Sequence, residues 1–370
     1  MCIMEKAKKI GLLTFHTPDN YGAVFQTFAL QTYISDDLKK EIEIIDFCTE
    51  DHVEDYKIFS ETSKNPIKHL ILQLLTLLRY SQFKRKKEEF KEFRKKYLKI
   101  SAMRYNTEEE FLMHNDRYQT YLVGSDQVFN PYNKYLKAYY LAFDKKGAKK
   151  IAYAPSFGVA DFNEEITQKI KKYVEDFDVL SCREQQGADY LSQLVGKEVK
   201  SVVDPVYLIK KEVWESIAIK PVEKDKYIFI YDLAGGENLL NLAHKIAEKG
   251  NYKIICATSN IKKIYKNCDM RYGIGPCELL GFINNAEYVV TDSFHGTSLS
   301  LILKKKCIVY IALPKLSSRI ISIMNKLGTE GQIVTNTENF DIEMMAFPSY
   351  DNALSTMIAD SQNFLKRALS

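Results

Sequence analysis

Apolar β-branched runs alternate along this chain with stretches whose apolar residues recur every three or four positions. KKIGLLTF (8–15) reads as a strand, HTPDNYG as a turn, and the stretch from about Ala23 to Leu38 as a helix, with Val24, Phe28 and Ala29 on one stripe. EIEIIDF (41–47) is the next strand. After an interruption at about 52–117, dominated by helical patterns, YQTYLVG (118–124) and KKIAYAPSFG (149–158) read as strands running into polar turns. Helices at about 164–177 and 185–195 flank DVLSCRE, and VKSVVDP closes the series. Beyond a charged connector that reaches Lys226 and holds the only tryptophan, Trp214, the alternation restarts. YIFIYDL, a helix at about 237–249, KIICAT, the GPCELLGFINNA helix, YVVTD, a helix after Gly296 and KCIVYI follow in turn, and Arg319 opens a last helix.

Strands alternating with helices predict an α/β fold with a mostly parallel, doubly wound sheet. The restart predicts two tandem Rossmann-like αβα domains facing a cleft, at 1–210 and 222–345, with a helical basic insertion at about 52–117 in the first. A length of 370 residues suits two cores better than one. The segment 350–370 reads as a helix expected to pack back on the N-terminal domain. No short repeat or low-complexity tract interrupts the pattern.

Charge changes this picture at one place. Residues 64–99 hold 12 Lys and Arg against 3 Glu, which leaves 40 basic against 45 acidic residues for the rest of the chain. Nucleic acid is therefore not an expected partner, since a protein that binds it carries its basic footprint on an otherwise compatible surface. The apolar run HLILQLLTLL beside FKRKKEEFKEFRKKYL is a candidate for peripheral contact with anionic membrane, the plainer alternative being a solvated charged helix. The run Leu70–Leu78 falls far short of the roughly 20 residues that span a bilayer. MCIMEKAKKIGLLTF lacks the apolar core and cleavage pattern of a signal peptide. The seven cysteines are scattered without a CxxC pair, so reduced thiols, a cytoplasmic location and no metal site are expected.

Candidate chemistry collects where apolar strands end in polar turns, the place at which α/β sheets bind ligands. In YVVTDSFHGTSLSLIL (288–303), Asp292, Ser293, His295 and Gly296 break the chain between two apolar elements. Gly296 permits close backbone approach, and the helix N-terminus offers N–H groups and a positive dipole to an anion. The plain alternative for His295 is a helix-end or packing histidine. In GSDQVFNP, Ser125, Asp126 and Gln127 are consecutive hydrogen-bonding groups; the Asp126 carboxylate can hold sugar hydroxyls or accept a proton, or it can cap a helix. Asn20 and Tyr21, in TPDNYGA, stand at the first strand-to-helix turn, where turn propensity alone explains asparagine. Arg183 in SCRE and Arg319 in LSSRIISI can fork onto carboxylate or phosphate, or form ordinary ion pairs. YDLAGGEN lacks the GxGxxG spacing, so no nicotinamide fingerprint is present.

With these residues laid out, the sequence resembles the polysaccharide pyruvyl transferase family. The matching elements are NYGAVFQTFAL, VGSDQVFNP, KKIAYAPSFG, SCREQQGADYL, VVDPVYLI, GPCELLGFINNAEYVVTDSFHGTSLSLIL and SSRIISIMNKLG, in order from about residue 9 to 328. The resemblance implies a GT-B-like architecture, with an acceptor-side first domain and a donor-side second. It implies transfer of the enolpyruvyl unit of phosphoenolpyruvate to two hydroxyls of a sugar, giving a cyclic pyruvate ketal in surface polysaccharide. It implies His295 as general acid and Arg183 as a ligand of the donor's anionic groups. Some members carry arginine where this chain has Ser293, and Arg319 is the expected replacement; Ser293 and Gly296 remain in the donor set. Asp126 is the candidate base, and Asn20, Tyr21, Ser125 and Gln127 are the acceptor set. No cofactor is expected beyond phosphoenolpyruvate as donor, and the acceptor is a sugar, with free, nucleotide-linked and lipid-linked forms as the alternatives. The competing readings are a nucleotide-sugar glycosyltransferase of the same architecture and a non-catalytic glycan-binding or scaffold protein.

Overall fold

The computed structural model describes residues 7–49, 73–114, 116–144, 146–159, 163–260, 263–313 and 317–370. The part of the basic segment at 64–72 lies outside them. Two parallel sheets carry the fold. The first is built from β1 (Ala7–Leu13), β2 (Ile42–Phe47), β3 (Ile100–Tyr105), β4 (Tyr118–Val123), β5 (Lys149–Ala152), β6 (Val179–Cys182) and β7 (Lys200–Ser201), in the order β3-β2-β1-β4-β5-β6-β7. The second comprises β8 (Tyr227–Asp232), β9 (Lys253–Thr258), β10 (Asp269–Arg271), β11 (Tyr288–Thr291), β12 (Lys306–Tyr310) and β13 (Ile333–Val334), in the order β10-β9-β8-β11-β12-β13. In each sheet the order reverses once, between β1 and β4 and between β8 and β11. Both reversals are topological switch points, where the loops diverge and leave a crevice at the carboxyl edge.

The helices used below are α1 (Tyr21–Thr32), α2 (Tyr80–Tyr97), α3 (Glu164–Val174), α4 (Gln185–Val195), α5 (Glu237–Gly250), α6 (Pro276–Asn285), α7 (Phe294–Ile302), α8 (Ser318–Leu327) and α9 (Asp351–Leu369). Strands such as IEIIDF and YIFIYDL are almost continuously apolar because a parallel sheet is covered on both faces, and all six residues of β8 are buried. Amphipathic helices do the covering: α3 buries only Ile170 and Val174. By contrast α1, packed against the middle of its sheet, buries all twelve of its residues. Aromatic residues fill much of the first core. Phe129 stacks on Tyr140 at 4.2 Å between ring centroids, and the Tyr140 hydroxyl donates to the Phe129 carbonyl at 2.9 Å. The arrangement supplies a buried phenol with a partner for its polar end.

The chain divides into two compact units: Met1–Tyr56 with Arg94–Ile209 and Thr356–Ser370, and Lys57–Phe93 with Lys210–Ser355. This corrects the expected insertion in two ways. Residues 100–105, inside a stretch read as helical, form the edge strand β3, paired in parallel with β2. The basic helix α2 is divided, since its residues through Phe93 belong to the second unit. Within that unit, Lys86 donates to the Ser259 hydroxyl at 2.6 Å and Arg79 lies 4.0 Å from the ring centre of Tyr272. Within the first unit, Arg94 pairs with Asp19 at 2.9 Å. Among the described residues no helix is long and apolar enough to cross a membrane.

Candidate active site

Parallel strands end at one edge, so each sheet gathers its strand-end side chains there. In the first unit, β6 ends at Cys182 and delivers Arg183, while the chain after β7 delivers Asp204, whose side chain caps the turn by accepting from Val206 N at 3.1 Å. Arg183 Nη1 donates to Asp204 at 2.6 Å; Glu184 lies 3.5 Å from its Nε and Asp126 3.8 Å from its Nη2. Burial alone would lower the Arg183 pKa, but the carboxylates of Glu184, Asp204 and Asp126 overcome it and hold the value above the usual one. A guanidinium enclosed by three carboxylates is a structural hub, and a fourth anion would meet net negative charge.

Asp126 follows β4 with φ 69° and ψ −171°, a region that residues bearing a Cβ seldom occupy. Such strain costs about 1–3 kcal/mol and concentrates at working sites. Here the backbone is pinned on both sides, by an isolated parallel bridge to Pro155 and by Ser156 N donating to the Asp126 carbonyl at 2.8 Å. Its carboxylate accepts from Gln127 N at 2.9 Å, so the capping role exists, yet the side chain keeps 17% exposure. Neighbouring expectations fare differently. Ser125 points inward, fully buried, and donates to Asp204 at 3.2 Å, so it supports the turn and presents no surface to an acceptor. Tyr21 is likewise buried, stacked on Phe25 in α1. Asn20 is exposed and caps α1 by accepting from Ala23 N at 3.2 Å. Gln127 lies against Gly158, where an added Cβ would come within 2.3 Å of its amide oxygen.

A second cluster at this edge was not foreseen. His16, just beyond β1, is buried, with Nδ1 3.2 Å from the Thr14 carbonyl and Nε2 3.4 Å from Asp46, at the end of β2. Both ring nitrogens face acceptors, so a neutral ring satisfies one at a time and a doubly protonated ring satisfies both. Asp46 also accepts from Arg104 Nε at 2.8 Å. Burial would raise the Asp46 pKa; the hydrogen bonds from His16 and Arg104 outweigh it and hold the carboxyl below its ordinary range. The signal available in the sequence was a histidine directly after an apolar strand, the same signal that drew attention to His295.

In the second unit the switch point lies between β8 and β11, and Asp292 bridges it. Its carboxylate accepts from the backbone N–H groups of Leu233, Ala234 and Gly235 at 2.8, 2.6 and 2.7 Å, tying the turn after β11 to the loop after β8. Three converging amides form an anion-binding concavity, and here a carboxylate of the chain occupies it. The loop is held from its other side by Asp232, which receives Lys263 at 2.7 Å, the Tyr265 hydroxyl at 2.6 Å and Gly236 N at 3.2 Å.

Ser293 is the N-cap of α7. Its hydroxyl accepts from Gly296 N at 3.2 Å, and its own N–H donates to Thr291 Oγ1 at 3.0 Å. Its side chain is therefore buried and engaged in the cap. The helix begins at Phe294, earlier than its expected start after Gly296, and puts half-buried His295 at the second helical position, at the positive end of the macrodipole. Gly296 serves packing. A Cβ there would come within 2.7 Å of Thr291 Oγ1 and 2.8 Å of the Tyr231 ring, so glycine lets α7 lie against its own sheet, and the close approach expected of a ligand is made by the protein. Arg319, at the second position of α8, has its guanidinium 5.7 Å from the centre of the Phe294 ring, beside His295. The six described cysteines are free, and among the described residues no cluster of three or more potential metal ligands occurs.

The pattern of the polysaccharide pyruvyl transferase family matches residues 20–312. The chain belongs to this family. Membership makes it a transferase of polysaccharide modification. No curated protein matches it. Among solved structures it is similar to the UDP-GlcNAc 2-epimerase of Neisseria meningitidis bound to UDP-GlcNAc, with 11% identity over 98% of this chain and 99% of that one and a TM-score of 0.52. A second UDP-N-acetylglucosamine 2-epimerase shares 10% identity over 98% and 91% of the two chains, with a TM-score of 0.53. At such identities the likeness concerns the fold, two parallel-sheet α/β domains of GT-B-like type.

Proposed function

We propose that the protein transfers the enolpyruvyl group of phosphoenolpyruvate to two hydroxyls of a sugar, forming a pyruvate ketal and releasing phosphate. The observation that carries this reading is His295 at the second position of α7, with the Arg319 guanidinium 5.7 Å from the ring centre of the preceding Phe294, in a chain of the pyruvyl transferase family. In this reading the His295 imidazolium gives its proton to the methylene carbon of the donor, and the adjacent carbon becomes oxocarbenium-like. Imidazolium is the side-chain acid suited to neutral pH. One sugar hydroxyl adds to that carbon and loses its proton to a base, for which Asp126 is our candidate. The carbon–oxygen bond to phosphate then breaks, the second hydroxyl closes the ring, and its proton leaves. Arg319 and the α7 N-terminus stabilise the departing phosphate. We assign the reaction to the cytoplasmic side of the membrane, with a glycan precursor as acceptor.

Incubation with labelled phosphoenolpyruvate and candidate glycans tests the reading. Phosphate release that depends on the acceptor is expected, together with a glycan mass gain matching the ketal. His295→Asn should lower kcat by about 10²- to 10⁴-fold while leaving the protein folded. Full turnover in that variant would remove His295 from the chemistry.

A further inference from the structure

The basic helix and the turn of helix before it present a combination that the reaction does not use. Residues 73–78 are helical and lead through a turn at Arg79 into α2. Large apolar side chains cluster here in the open: Leu74 is 51% exposed, Leu77 59%, Leu78 79% and Tyr80 41%. Each could have been buried at a favourable rate per unit of apolar area, so a cluster of them in water calls for a partner. In the same short helix Thr76 is buried and Leu75 half-buried. The helix thus turns Leu74, Leu77 and Leu78 outward.

The charge beside this patch identifies the partner's chemistry. Arg79, Arg85, Lys86 and Arg94 are engaged by Tyr272, Glu278, Ser259 and Asp19 and serve to dock α2. Close approach on that side is enforced at Gly273, where a Cβ would come within 2.3 Å of the Gln82 carbonyl. Lys84, Lys91, Lys95 and Lys96 are exposed on the helix that continues from the leucines and outnumber the exposed Glu88, 3.6 Å from Lys91, and Glu92. An apolar cluster followed by exposed lysines matches a surface whose interior is hydrocarbon and whose face is negative.

We propose that residues 74–96 dock on an anionic lipid surface, with Leu74, Leu77, Leu78 and Tyr80 entering the interface and Lys84, Lys91, Lys95 and Lys96 meeting the headgroups. Apolar insertion and electrostatic attraction add in such contacts, and the second weakens with salt. The proposal does not rest on the pyruvyl reaction, and its test reads no turnover.

The test is co-sedimentation of the full chain with vesicles of phosphatidylcholine alone and of phosphatidylcholine mixed with phosphatidylglycerol. Binding to the mixed vesicles is expected, weaker by tenfold or more on the neutral ones and falling as salt rises. Lys91→Gln with Lys95→Gln should weaken binding to the mixed vesicles by about fivefold per residue removed. Leu77→Ser with Leu78→Ser should abolish the remainder at all salt concentrations, with thermal unfolding unchanged because both side chains are exposed. If the leucine variant fails to fold, the lysine pair decides. Equal affinity for neutral and anionic vesicles, or unchanged binding by both variants, would overturn the proposal. So would a stable dimer that the leucine variant splits, found without vesicle binding.

Discussion

Arg183 in the first unit and Arg319 in the second both stand where a strand or helix begins or ends near a carboxyl edge, and their surroundings differ in kind. Arg183 is enclosed by Asp126, Glu184 and Asp204, so its charge is answered from within the fold. Arg319 meets the face of the Phe294 ring, next to His295. The carboxylates follow the same division. Asp204 holds a guanidinium, whereas Asp292 holds three backbone amides. Two sheets of corresponding strand order thus carry different charge arrangements at their carboxyl edges. One edge sets three carboxylates around one guanidinium, and the other places a histidine at a helix N-terminus with an arginine over the neighbouring phenylalanine ring.

Substituting both arginines breaks or sharpens this contrast most directly. Arg183→Met leaves Asp204 buried without its cation and is expected to cost about 3–5 kcal/mol in urea unfolding. Arg319→Met should change stability by less than about 0.5 kcal/mol while raising KM for phosphoenolpyruvate about tenfold. If the two results came out exchanged, the donor site would belong to the first unit.

Asp292→Ala comes next in size. Three amides lose their acceptor, two of them in an exposed loop where water can replace it, so a loss of about 1–2 kcal/mol is expected. Hydrogen exchange should show faster opening of residues 233–236 than in the parent protein. An unchanged loop would mean that Asp232 and Lys263 hold it unaided.

The smallest expected effect lies in the His16–Asp46–Arg104 cluster. Asp46 has a folded pKa below its unfolded one. Its contribution is therefore complete above about pH 4 and lost as pH falls through the folded value. Asp46→Asn should cost about 1 kcal/mol near neutrality, discounted for the exposed Arg104, and should converge with the parent in acid. A difference that persisted at low pH would point to packing as its source.

Much of the secondary structure was legible because its signals are local. Helix α4 spans Gln185–Val195 as its periodicity indicated, and β2, β4, β8 and β9 fall within a residue or two of their apolar runs. The strands that escaped notice are β3, β10 and β13. Each lies at or next to a sheet edge or has only two or three residues, so a continuous apolar run was not required of it. At the site, the DSFHG turn announced itself by interrupting two apolar elements. What each residue does there was not legible: Ser293 and Ser125 are both small hydroxyls in polar turns, and both are turned inward by bonds to their surroundings.

Sequence alone determined the α/β alternation, the two repeats of it, the family and the identity of the histidine at the second switch point, because periodicity and motif spacing are carried by neighbours along the chain. Tertiary structure decided which charges meet. Asp292 and Leu233 are 59 residues apart, and His16 and Asp46 are 30 apart. Strand order brings them together, and at that range no local pattern distinguishes a carboxylate that will hold an amide from one that will hold an arginine. The same holds for the basic helix, whose composition was plain but whose outward leucines and inward Lys86 were settled only by what it packs against.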